Sequence, residues 1–195
     1  MKEFALQIQN LCISFNGQLV VDHVSCQIRK GKTLAIVGES GSGKSVTALA
    51  VLGLLPPSAS IRGQIEYGQD QLLNMTPLKL RKIRGGEIAM IFQEPMTSLN
   101  PVFSIGEQIE EAVRVHHRIS RKNVQVRTKA ALEEVGLSVD RLGAYPHEFA
   151  GGMQQRVMIA MALASEPALL IAEEPTPARD ATTSKQNSDV RCKAN

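Results

Sequence analysis

The chain has 195 residues, 43% of them hydrophobic and 21% charged, which is the balance of a globular domain with its own core. A net charge of +3 is too mild to argue for a nucleic-acid partner. The longest apolar run, residues 46–55, is well short of the roughly 18 residues that a membrane span needs.

The opening MKEFALQIQN carries an early Glu and alternates polar with apolar residues, so it does not read as a signal peptide. Residues 4–29 read as two paired strands around Asn16-Gly17, the strongest short hairpin signal. Thr33 to Val37 is a continuous apolar run and predicts a strand buried on both faces, as in a parallel sheet. A helix is expected over 45–54, stopped by Pro56-Pro57. Short strands are expected over 63–67 and 88–92. Helices are expected over 105–117 and 122–135, the second capped by Gly136, and over 151–164. Another apolar strand follows at 168–172, and beyond Pro175 the sequence turns polar and aperiodic. Cys12, Cys26 and Cys192 are widely spaced and odd in number, and read as free thiols in a reducing compartment. The pattern is α/β, with an antiparallel β patch first and a helical insert near 100–145.

Gly38-Glu39-Ser40-Gly41-Ser42-Gly43-Lys44-Ser45 fits G-x-x-x-x-G-K-[ST]. Glycines let successive backbone N–H groups turn toward phosphate oxygens, and the positive end of the following helix favours the anion. Lys44 supplies a mobile charge for the outer phosphates, and the Ser45 hydroxyl can ligate Mg²⁺. The motif alone says only that the chain binds a nucleotide through a P-loop. Three later features narrow it: Gln93 leaving an apolar strand in QEPMTSLNP, the Gly151-Gly152 pair opening a helix in YPHEFAGGMQQR, and Glu173-Glu174 ending the strand LLIA.

In this order and spacing, these features resemble an ABC ATPase, a P-loop NTPase fold with an N-terminal antiparallel β patch and a helical subdomain. The wording GESGSGKS, FQEPMTSLNP and YPHEFAGGMQQRVMIAMALA is similar to the ATP-binding subunits of bacterial peptide and nickel importers. The resemblance covers about residues 5–182. It implies an ATPase domain over 1–182 with its helical part near 100–162, followed by a disordered tail at 183–195. It further implies that Phe15 stacks on adenine and that Gly38 to Ser45 hold the phosphates of ATP. Gln93 would sense Mg²⁺ and water and couple to the permease. Ala150, Gly151 and Gly152 would cap the γ-phosphate held by an opposite subunit. Glu173 would serve the Mg²⁺, Glu174 would be the general base, and Asp180 would be the D-loop aspartate. The implied partners are membrane permease subunits, a second ATPase subunit and, indirectly, a solute-binding protein, with no nucleic acid. The implied location is the cytoplasmic face of the bacterial plasma membrane.

The chain departs from the family pattern in four places. Ala150 stands where Ser is usual, which removes one charge-assisted hydrogen bond worth on the order of 1.5–3 kcal/mol. Glu173 stands where Asp is usual; its extra methylene displaces an ion that demands near-ideal octahedral geometry, unless it reaches the ion through water. Arg179 stands where Leu is expected. After about Thr182 the next helix, strand and switch histidine of the family are not found. Nucleotide binding is therefore expected to outlast catalysis. A degenerate, non-catalytic nucleotide module and a non-transport ABC-type ATPase are the alternatives.

Overall fold

Asn16 and Gly17 both adopt positive φ, 50° and 83°, as a two-residue hairpin turn requires. The turn joins β1 (Phe4–Phe15) to β2 (Gln18–Arg29) in an antiparallel pair with Phe15 opposite Gln18. These features belong to a computed structural model that describes residues 3–92 and 98–173. The described chain falls into two units, divided between Arg81 and Lys82.

In the first unit, β1 also pairs with β3 (Ala59–Tyr67), which pairs with β4 (Asp70–Gln71), giving the antiparallel order β2-β1-β3-β4. Leu6, Ile8, Leu11 and Ile13 of β1 are all buried, although a strict alternation would put Leu11 and Ile13 on the face opposite Leu6 and Ile8. A bulge resets the phase: Asn10 takes φ 47°, and Asn10 and Leu11 together stand opposite the single residue Gly63. Gly63 has no freedom here. Its φ is +108°, and a Cβ would lie 2.5 Å from the Asn10 carbonyl oxygen. The hairpin and short β3 strand expected from sequence are thus present, with β3 longer at its start. α1 (Lys44–Val51) buries Thr47, Ala50 and Val51. α2 (Pro77–Ile83) was not anticipated, although Thr76-Pro77 is a helix-start signal.

In the second unit, β5 (Ile88–Ile91) and β6 (Leu169–Ala172) form a parallel pair in register from Ile88 opposite Leu169 to Ile91 opposite Ala172. Between them in sequence come α3 (Ile105–His116), α4 (Arg121–Glu134) and α5 (Gly151–Leu163). α3 begins with a capping box: Ser104 Oγ accepts from Glu107 N–H, and Glu107 Oε2 accepts from Ser104 N–H. Gly136 follows α4 at φ 72°, the expected C-terminal glycine. Ile105, Ile109, Val113, Leu132, Val157 and Ala160 are completely inaccessible and centre one apolar core. Burying side chains of this size contributes roughly 1.5–3 kcal/mol each for the larger ones.

The expected buried strand over Thr33 to Val37 is not formed. These residues have no regular secondary structure, and Val37 is 92% exposed. A strand exists only through its ladder partners, and among the described residues no strand pairs with this segment. Apolar character alone could not supply that partner. Among the described residues, no helix is long and apolar enough to cross a membrane.

Candidate functional site

The loop before α1 is shaped by its glycines and closed by its lysine. Gly41 and Gly43 take φ 82° and 87°, which L side chains rarely adopt. Gly43 is also wedged in place: a Cβ there would lie 2.8 Å from Val21 Cγ2 and 3.0 Å from the Val20 carbonyl oxygen. The Gly43 carbonyl accepts from both Thr47 N–H and Thr47 Oγ1–H, each at 2.9 Å, so buried Thr47 locks the start of the helix. Sequence reasoning missed Thr47; an internal hydroxyl four residues after a loop glycine was the available signal. Ser42 N–H donates to the Glu39 carbonyl at 3.2 Å.

Lys44 reaches back across this loop. Its Nζ donates to the carbonyls of Gly38 at 2.8 Å and Glu39 at 2.7 Å, and to Ser42 Oγ at 3.4 Å. The ammonium is therefore held by the loop's own oxygens. Ser40, Gly41 and Ser45 lie exposed around it. Phe15, half-buried, ends β1 at the hairpin turn, between Gln18 of β2 and Ala59 of β3.

The second unit holds the other described candidates. Ala150 is the N-cap residue of α5, with extended backbone and no side-chain cap bond. Gly151 and Gly152 form the exposed first turn, where helix N–H groups lack intrahelical acceptors. Neither needs to be glycine for its own fold. Their φ values are not positive, and a Cβ on either would meet nothing within 4 Å. The turn is held from behind by Gln154, which is buried and donates from Nε2 to the Pro146 carbonyl at 2.8 Å. Gln154 was another residue that sequence reasoning passed over, since an interior Gln carries no motif.

Glu173 follows β6 directly. Its N–H donates to the Ile91 carbonyl at 3.0 Å, extending the parallel ladder by one residue. Its side chain is half-buried, and Oε1 is fully enclosed without a hydrogen-bond partner among the described residues. An enclosed carboxylate oxygen without a donor is costly unless a cation or water satisfies it. Gln93, Glu174 and Asp180 lie outside the described residues. Within the same unit, Gly85, Ile91, Phe92, His116 and Met158 help line an apolar hollow of about 230 Å³.

With this geometry in view, comparison with known proteins is decisive. The sequence model of the family described as ABC transporter matches residues 21–177. This chain belongs to the ABC transporter family. The ABC relatives include the glutathione import ATP-binding protein GsiA of Salmonella choleraesuis, 48% identical over 194 residues, covering 93% of this chain and 31% of that protein. The oligopeptide transport ATP-binding protein OppD of Bacillus subtilis is 47% identical, with 93% of this chain and 53% of that protein covered. The chain thus spans about a third to a half of the length of these curated relatives. Among solved structures, the ATP-binding cassette MJ0796, in a dimeric post-hydrolysis state bound to ADP and Pi, superposes with a TM-score of 0.78 at 27% identity, covering 90% of this chain and 76% of that one. An ABC ATPase cassette is therefore the fold, as the motifs implied.

Proposed function

We propose that this chain is the ATP-binding subunit of an ABC importer for peptides or related solutes, and that it couples ATP binding and hydrolysis to transport. The observation that carries the nucleotide reading is the loop that Lys44 closes on itself, with its ammonium held by the Gly38 and Glu39 carbonyls. A phosphate competes well for that ammonium, because a doubly ionised contact is stronger than one to a neutral carbonyl. On binding, Lys44 turns from its own loop to the β and γ phosphates, and the N-terminal end of α1 adds its dipole. Phe15 is assigned to adenine stacking on the strength of its place at a strand end.

The residues also suit Mg²⁺. The orphaned Glu173 oxygen and the exposed Ser45 hydroxyl are oxygen donors of the kind that ion takes. When bound, Mg²⁺ would neutralise charge on the phosphates. Motif position alone assigns Ser45, Gln93 and Glu173 to the ion, and assigns Glu174 to take the proton from the attacking water. Gly151 and Gly152 support a partner role. Glycines that neither backbone nor internal packing requires make room for something approaching from outside, here the γ-phosphate of a nucleotide held by a second ATPase subunit. Contact with a membrane permease subunit is assigned to Gln93 by motif position. The domain is assigned to residues 1–182 and the setting to the cytoplasmic face of the membrane.

Thermal unfolding with and without Mg-ATP tests this reading. The midpoint is expected to rise in the parent chain, since a ligand that binds only the native state must stabilise it. It is expected to stay put in Lys44→Ala. A parent midpoint indifferent to Mg-ATP would sink the proposal. Phosphate release abolished by Glu174→Gln would establish turnover, and phosphate release indifferent to that change would leave only binding.

A further inference from the structure

Cys12 of β1 lies between two ladder pairs, Leu11 with Val24 and Ile13 with Val21. The single residue Cys12 therefore faces two residues of β2, Asp22 and His23, which is the signature of a β-bulge. His23 takes φ 46°, an unfavourable conformation for a residue with a Cβ. Leu11, Ile13 and Val21 are buried, so the alternation puts Cys12 on the other face of the sheet. The bulge brings Asp22 and His23, both exposed, to join it. His23 N–H donates to Cys12 Sγ at 3.3 Å, and His23 Nδ1 lies 2.5 Å from Asp22 Oδ1. One ligand atom from each of the three residues falls within 4.8 Å of the others.

We propose that Cys12, Asp22 and His23 form a surface binding site for a borderline divalent metal ion of the Zn²⁺ type. The donor set is one thiolate, one imidazole and one carboxylate. That mixture suits Zn²⁺ or Co²⁺ and does not suit Mg²⁺, which takes oxygen. Three protein ligands leave a fourth tetrahedral position for water. Zn–S and Zn–N bonds of about 2.3 and 2.1 Å at tetrahedral angles put ligand atoms roughly 3.3–3.6 Å apart, so the His23–Asp22 hydrogen bond must open to admit the ion, which side-chain rotation at an open surface supplies. Binding releases the Cys12 thiol proton to solvent. Arg62 of β3 is the other cross-strand neighbour of Cys12. With a single cluster of three donors, the site takes one ion.

The test is a titration of the full, nucleotide-free chain with Co²⁺, followed by thiolate-to-cobalt charge-transfer absorption and then displacement with Zn²⁺. One equivalent of Co²⁺ is expected, with the band lost in Cys12→Ser and unaffected by excess Mg²⁺. His23→Asn tolerates the left-handed backbone and is expected to weaken affinity by about tenfold or more, as is Asp22→Asn. Circular dichroism establishes that each variant is folded. A parent chain with no band overturns the proposal. So does a band that survives Cys12→Ser, which would belong to Cys26 or Cys192, or one that Mg²⁺ displaces. Should Cys12→Ser fail to fold, unchanged affinity in both His23→Asn and Asp22→Asn overturns it as well. The readout uses no nucleotide and stands apart from the ATPase reading.

Discussion

Two helices of this chain start from glycines, and they need them for different reasons. At α1, the glycines answer to the chain itself: Gly41 and Gly43 have positive φ, and a side chain on Gly43 would strike Val20 and Val21. At α5, Gly151 and Gly152 have ordinary φ and open space around them. Each glycine in a helix costs up to about 1 kcal/mol relative to alanine, so the second pair is a standing loss of stability with no return inside the chain. Internally required glycine marks a loop whose shape is fixed beforehand. Internally optional glycine marks a surface shaped for something else. A third pair, Gly85-Gly86, sits between these cases, because His116 occupies the space that their side chains would need.

The largest effect that sharpens this contrast is on the phosphate loop. Lys44→Ala is expected to remove all nucleotide stabilisation, about 2.7 kcal/mol at a ligand concentration one hundred times Kd, as read by the Mg-ATP shift in melting. Gly43→Ala is expected to cost about 1–3 kcal/mol in the absence of nucleotide, from left-handed strain and the Val21 contact, measurable by urea unfolding. At the other helix the signs reverse. Ala150→Ser supplies the missing N-cap acceptor, with a gain of about 1 kcal/mol, and should strengthen ATP-dependent association of two chains in sedimentation. Gly151→Ala and Gly152→Ala should each raise stability by roughly 0.5–1 kcal/mol while abolishing that association. A loss of stability in either would erase the distinction between the two helix starts.

The smallest effect concerns the third pair. Burial beside Gly85-Gly86 lowers the His116 pKa below its ordinary value, and the neighbouring charge of His117 adds to this. Protonation therefore favours the unfolded chain. The contribution to stability is whole above the ordinary histidine pKa and is lost as pH falls through it toward the lowered value. The urea midpoint should decline over that window, and His116→Gln should flatten the decline.

Much of this was legible in the sequence, and what was not had a common cause. Asn16-Gly17 announced the hairpin because its turn is encoded by two residues alone. The phosphate loop and the helices α3, α4 and α5 were legible for the same local reason, from glycine placement and 3.6-residue periodicity. Thr33 to Val37 failed because its strand character depended on partners elsewhere. The bulges at Asn10 and at Asp22-His23 were invisible because they arise from the registry between strands, which no single segment records. The convergence of Cys12 with His23 was lost with them. The roles assigned to Gln93, Glu174 and Asp180 rest on motif position, since these residues lie outside the described part of the chain.

Val37 stands almost fully in water at the end of an apolar segment that has no partner strand among the described residues. Inside a cell, such a stretch is what holdase chaperones and quality-control proteases recognise, and triage of that kind sets abundance as much as folding energy does. An exposed apolar stretch also favours self-association. The lifetime of this polypeptide would then depend on its concentration and on how soon Thr33 to Val37 is covered, quite apart from whether Lys44 ever meets a nucleotide.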